Sequence, residues 1–206
     1  MRLHSYVVRR DFGFAPNPFF GICTLATCKP KIRGVAQIGD WVMGTGSKTN
    51  GREKHVTYAM RVTETMTFEQ YWADPRFQQK KPNLRGSKKQ AFGDNIYSRN
   101  PGSRKWCQLD SHHSLKDGSP NPSNVKADTG TNRILFSEDF VYWGGSGPEL
   151  PHEFLSYGPR HKSICAVYGH KNDDIPPVVV EKWVAWIRSL SETGYCGEPL
   201  DWKRTP

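Results

Sequence analysis

Acidic residues are in short supply. The 206-residue chain has 20 Asp and Glu against 29 Lys and Arg, a formal net charge of +9 with His neutral. A pI near 9.4 favours an anionic partner, with nucleic acid or a nucleotide foremost. Long apolar runs are missing too. Behind Met1 the apolar stretch is only Tyr6-Val7-Val8 before Arg9-Arg10. That is too short for a secretory signal or a membrane span, so the expectation is a cytoplasmic protein with no membrane contact. There are 5 cysteines, an odd number, with no close Cys-x-x-Cys pair. Cys23 and Cys28, and Cys107 and His112, are spaced in no zinc order, so reduced thiols and no metal site are expected. No repeat, heptad or low-complexity tract is present, and no motif fixes a cofactor. The hydrophobic fraction is only 36% while aromatics reach 12%. Burial must therefore lean on rings, which can also stack on bases.

What is present reads as one α+β domain over residues 1–194 with a loose tail at 195–206. Residues 3–8 and 22–26 read as strands. Between them Asp11 to Gly21 carries two prolines, two glycines and four phenylalanines, a turn-rich loop that either plugs a core or walls a pocket. Gly39-Asp40 makes a turn into a strand at Trp41-Val42-Met43, and Val56–Thr63 returns antiparallel. Thr67 and Gln70 form a capping box for a short helix over 67–72. Ile134-Leu135-Phe136, Phe140–Trp143 and Ser163–Tyr168 are strand-like. A final amphipathic helix follows Asp174 or Ile175 and Pro176-Pro177, with Val179, Val180, Trp183, Ile187 and Leu190 at helical spacing and Gly194 past its end. The fold expected is a curved, largely antiparallel sheet or small barrel.

Residues 78–133 stand apart as a basic, loop-rich excursion, with 11 Lys or Arg against 4 Asp. Phe92, Ile96, Tyr97, Trp106 and Leu109 argue that it is ordered. Lys80, Lys81, Arg85, Lys88 and Lys89 form its tightest basic run and are candidates for holding phosphates without reading sequence. Asp110-Ser111-His112-His113-Ser114 can supply acid/base chemistry near neutral pH. On an extended segment Asp110 and His112 share a face, with Ser111, His113 and Cys107 as the competing set. Asp94, Asn95 and Tyr97 offer an acid, an amide that reads a base edge, and a phenol.

Two resemblances rest on these motifs. The Gly39-Asp40 strand pair and the helix after it, about residues 35–72, resemble the PUA, ASCH and EVE-like barrel superfamily. That resemblance implies a small barrel that binds RNA or modified bases, with Gly44 to Ser47 at a pocket mouth. The second resemblance is carried by Asn17-Pro18-Phe19-Phe20-Gly21, Gly39-Asp40-Trp41-Val42, Asn83–Ser87, Phe92–Tyr97, Asp110–Ser114 and Phe140–Gly145. Together, over about residues 1–190, they resemble the prokaryotic nucleotide modification associated domain 2 family. It implies a part in systems, some linked to defence, that modify DNA bases or respond to modified bases. It assigns no role to any residue.

The function expected is recognition of nucleic acid, with DNA favoured over RNA, or of a modified base or nucleotide. An aromatic-walled pocket would hold the base, and the basic run would hold phosphates. Ser47, Asn95, Tyr97, Trp106, His113 and Trp143 are the substrate-binding candidates, with Asp94 beside them. The alternative is an enzyme of glycosylase or transferase type, with Asp110, His112 and Asp94 as its catalytic groups. A protein-interaction module is the third possibility.

Overall fold

The computed structural model describes residues 1–100, 102–167, 169–171 and 175–204. The chain divides into two units, Met1–Phe12 with Ala36–Thr63 and Ser137–Pro206, and Gly13–Val35 with Glu64–Phe136. In chain order the strands are β1 Leu3–Val7, β2 Cys23–Leu25, β3 Trp41–Thr45, β4 Val56–Arg61, β5 Glu64–Met66, β6 Tyr97–Ser98, β7 Cys107–Gln108, β8 Ile134–Ser137, β9 Asp139–Tyr142, β10 His170–Lys171 and β11 Gly194–Tyr195. The helices are α1 Pro30–Val35, α2 Phe68–Ala73, α3 Lys88–Ala91, α4 Pro122–Thr129, α5 His152–Leu155 and α6 Pro177–Ser189.

The first unit is organised by Asp40. Its carboxylate accepts the Arg2 amide at 2.8 Å, the Gln37 amide at 3.0 Å and the Arg2 guanidinium at 2.8 and 3.0 Å. Burial pushes its pKa up, but these donors outweigh burial and hold it below the usual carboxylate range. The turn is thereby tied to the start of β1. Trp41 N then donates to Arg2 O, and β1 and β3 run parallel from Leu3 opposite Trp41 to Val7 opposite Thr45. β4 pairs antiparallel with β3, as the reading of Val56–Thr63 predicts, and on its other side with β9. Glycine is required at Gly44, where a Cβ would lie 2.5 Å from the Tyr58 ring. The sheet order is β10-β1-β3-β4-β9-β11.

Three expectations change here. The sheet is mixed, not largely antiparallel, because β1–β3 and β9–β11 are parallel pairs. It is not closed into a barrel, since its order ends on β10 and β11. Ser163 to Val167 form no strand; the pairing falls on His170–Lys171, and Tyr168 and Asp174 lie outside the described residues. Within 195–206, Cys196 and Trp202 are anchored. Cys196 N donates to Tyr142 O, and Trp202 is buried with its indole N–H on Phe12 O at 3.0 Å. Along α6, Val180, Trp183 and Ile187 are buried one helical turn apart, and the Trp183 ring meets Trp41 edge-on.

The second unit holds the excursion. Its three-stranded sheet has the order β2-β8-β5, and β6 pairs with β7. Its core is aromatic, with Phe14, Phe68, Tyr71, Phe77, Tyr97 and Phe136 buried beside Ile96 and Ile134. Phe14 and Phe19 are both buried, so the phenylalanine-rich loop fills core space. The capping box forms as the sequence predicts: Thr67 Oγ1 accepts Gln70 N, and Gln70 Oε1 accepts Thr67 N. This unit carries 15 Lys and Arg against 7 Asp and Glu, a formal +8 of the chain's +9.

Candidate functional site

Cys28 ends the segment after β2 at a sharp turn. Its φ is 57° and that of Lys29 is 42°, both left-handed, and Pro30 then opens α1. Such backbone costs energy for residues other than glycine and persists where the surroundings impose it. Here they do. Arg33 is fully buried, and its guanidinium donates to Cys28 O at 2.8 Å, Asp128 O at 2.5 Å, Thr131 O at 2.8 Å and Arg133 O at 2.6 Å. Burial lowers the Arg33 pKa to about 10, against the opposing pull of Asp128. One cation thus ties the Cys28 turn to the end of α4.

The end of α4 presents Asp128. Asn121 caps the helix by accepting Ser123 N and Asn124 N, and Pro122 fits its first position. The Asp128 carboxylate is buried and accepts three donors: Cys28 N at 2.7 Å, Tyr97 OH at 2.8 Å and His113 Nδ1 at 2.8 Å. His113 sits in the 111–114 turn, and its carbonyl accepts Gln108 Nε2 at 3.3 Å and Asn124 Nδ2 at 2.8 Å. Its other ring nitrogen, Nε2, lies 3.6 Å from Cys28 Sγ. Burial disfavours the imidazolium, but the hydrogen bonds to Asp128 and Cys28 win and raise the His113 pKa to about 9. At neutral pH the ring is therefore protonated, with Nδ1–H on Asp128 and Nε2–H toward sulfur. A thiol, an imidazole and an orienting carboxylate in this order form a nucleophile–base–orienter set.

The same three residues are metal-ligand types, with ligand atoms within 4.8 Å of one another. Asp128 and Cys28 sit on opposite nitrogens of one imidazole, an arrangement that suits proton transfer as well as ligation.

The other candidates separate into groups. Asp94 is buried, accepting Thr24 Oγ1 at 2.6 Å and Tyr71 OH at 2.7 Å. Lys80 is buried beside it, donating to Asn17 Oδ1 at 2.6 Å, Asn17 O at 3.1 Å and Thr24 Oγ1 at 3.2 Å. Burial lowers the Lys80 pKa to about 8 and raises that of Asp94, each offset in part by the other's charge. Lys80 therefore leaves the group of phosphate ligands, because its ammonium is spent inside. Asn95 is buried too, its amide on Tyr71 O and Phe77 O. Glycine at position 93 lets this segment pass, since a Cβ there would lie 2.3 Å from Lys80 O. Lys81 donates to Gln78 Oε1 and sits 3.8 Å over the Trp72 ring. Arg85, Lys88 and Lys89 are exposed.

Of the rings proposed as walls, Tyr97 is core and serves Asp128, and Trp106 packs edge-on to Phe68 under the Arg99 guanidinium. Trp143 is core in the first unit, with its indole N–H on Glu192. Ser47 is buried in that same unit. Asp110 and His112 are both exposed. The His112 ring lies edge-on to Phe14 and Phe92 and parallel to His113 at 6.1 Å. The imidazole that a carboxylate orients is His113's, and the carboxylate is Asp128.

The sequence does not single out Cys28 and Asp128 as a pair. Local signals exist: a thiol at a strand–turn–proline junction, and Asn121-Pro122 as a helix start. Their union across 100 residues has none.

No curated protein and no solved structure matches the chain significantly. A family model does match, over residues 1–206, and the chain belongs to the nucleotide modification associated domain 2 family.

Proposed function

We propose that the protein is an enzyme acting on a nucleotide, or on a base within nucleic acid. Cys28 is the nucleophile, His113 the proton carrier and Asp128 the group that orients it. The observation that carries this reading is Cys28 Sγ at 3.6 Å from His113 Nε2, with Asp128 at 2.8 Å on the opposite nitrogen. Cys28, its proton held on His113 Nε2, forms a bond through sulfur to an electrophilic carbon of the substrate, and the group that gains the electron pair takes that proton. Water or another acceptor then displaces sulfur, returning a proton to His113. The family name supplies the nucleotide theme. The formal +8 of the second unit favours phosphate-bearing substrates. The exposed His112 ring, beside Phe14 and Phe92, offers a base a stacking surface.

This favours the enzyme over the pure reader. Glycosylase-type chemistry through Asp94 loses support, because that carboxylate is enclosed by Thr24, Tyr71 and Lys80. The test is mass spectrometry after incubation with plain DNA, DNA carrying hypermodified bases, and free nucleotides. The expected result is a mass change on one substrate, or an adduct on the Cys28 peptide, abolished by Cys28→Ser and by His113→Ala. Turnover that survives Cys28→Ser overturns the thiol mechanism. Salt-sensitive binding with no product from any substrate returns the protein to the recognition reading.

A further inference from the structure

In the second unit a cavity of about 590 Å³ opens beside α2, within the size range of small-ligand sites. Its walls include Glu69, Trp72, Ser98, Arg99, Asn100 and Ser103. Arg99 is the only cation among the described lining residues, and neither Cys28, His113 nor Asp128 is one of them.

Arg99 is fixed in place through one side of its guanidinium. Its Nε donates to Glu69 Oε1, and its central carbon lies 4.5 Å from the centroid of the Trp106 ring. Glu69 is held in turn: Oε2 accepts Asn132 Nδ2 at 2.9 Å, and Asn132 Oδ1 accepts Phe68 N at 2.8 Å. Burial pushes the Glu69 carboxyl up, but its hydrogen bonds, that from Asn132 foremost, bring it below the usual carboxylate range. The pair therefore stays charged at neutral pH. Nη1 and Nη2 of Arg99 have no hydrogen-bond partner among the described residues. That edge is a planar fork suited to two oxygens of one anion, and the Glu69 and Trp106 contacts hold it before any ligand arrives.

Trp72 supplies ring surface to the same cavity, and Lys81 Nζ lies 3.8 Å from the centroid of that ring, a second positive charge beside the site. Ser103 N donates to Asn100 O at 2.9 Å, which steadies the wall that carries their side chains. We infer that this cavity binds a nucleoside monophosphate, with the phosphate on Nη1 and Nη2 of Arg99 and the base against Trp72. An inorganic anion would leave the indole uncovered, and a neutral nucleoside would leave the fork unpaired, so the two features together select a ligand with both parts. The Asn100 amide, with a donor and an acceptor, is the group that can bond a base edge. The cavity takes no residue from the thiol mechanism and stands or falls without it.

Adenosine monophosphate is the probe, with adenosine and inorganic phosphate as controls, in isothermal titration calorimetry. The expected result is saturable binding of the monophosphate, about tenfold or more tighter than either part alone. Arg99→Lys keeps a cation beside Glu69 but loses the fork, and is expected to weaken that binding about tenfold. In nitrogen-15-labelled wild-type protein the Trp72 indole N–H resonance, assigned by its absence from Trp72→Phe, is expected to shift with the same saturation. A Trp72 resonance that does not move, or equal affinity for inorganic phosphate alone, overturns the inference. Unchanged affinity in a folded Arg99→Lys protein overturns it as well, and so does binding of a short single-stranded oligonucleotide with none of the mononucleotide.

Discussion

Cys28 Sγ and His113 Nε2 meet at 3.6 Å although 85 residues separate them in the chain. A thiol beside a protonated imidazole behaves differently from one in water, because the thiolate is the reacting species. Cys28 is half-buried while Cys107 and Cys196 are exposed. Even so, iodoacetamide at neutral pH is expected to label Cys28 first, and His113→Ala is expected to slow that labelling by about tenfold or more. Peptide mass spectrometry at short times gives the order. Labelling of Cys107 and Cys196 ahead of a Cys28 indifferent to His113 would show that His113 does not activate Cys28.

His113 also links stability to pH. Folding raises its pKa from 6.5 to about 9, so the folded state holds this proton more tightly than the unfolded state. The resulting stabilisation is complete below pH 6.5 and is lost as pH climbs through about 9. Its full size is roughly 3 kcal/mol. Urea denaturation at both ends of that window is expected to show the loss in the wild type and not in His113→Gln. A slope identical in both proteins would remove the Asp128–His113 bond as its source.

Lys80→Met tests the sealed polar group. The substitution keeps the length of the side chain but strips Asn17 and Thr24 of a donor and leaves the Asp94 carboxylate without its nearby cation. A loss of about 3 to 5 kcal/mol is expected in chemical denaturation, the usual cost of breaking a buried charged group from one side. A surface lysine changed to methionine shifts stability by far less.

The basic run without Lys80 can be weighed by salt. Replacing the exposed Arg85, Lys88 and Lys89 by alanine is expected to weaken DNA binding across all sequences. It should also flatten the slope of log affinity against log salt by about 0.9 for each phosphate that these side chains neutralise. An unchanged slope would move phosphate binding to other cations of the second unit.

Much of the framework is legible in the sequence because its signals are local. Gly39-Asp40, the alternation from Val56 to Arg61 and the Thr67/Gln70 capping box each act within a few residues, and each forms. The parallel pairing of β1 with β3 is not legible, since it rests on the Asp40 carboxylate reaching back to Arg2. Site chemistry is legible by residue type only. In sequence His113 is the lesser member of a histidine pair. Its distinction comes from Asp128, which no spacing rule connects to it. Asp94 reads as a reactive acid in sequence and Lys80 as a phosphate ligand, yet both are buried. A carboxylate and an amine this close to aromatic residues either line a site or satisfy each other's neighbours, and here they do the second.

The strand order β10-β1-β3-β4-β9-β11 bears on how the chain is made. When residue 136 has left the ribosome, every residue of the second unit is available, but the first unit still lacks β9, β10 and β11. β1 precedes its partner β10 by about 165 residues, with Tyr6 opposite His170. Closing such distant pairs is slow, and strand edges left waiting are where nascent chains associate wrongly. The Cys28–His113–Asp128 set can thus be assembled during synthesis, while the six-stranded sheet waits for β11.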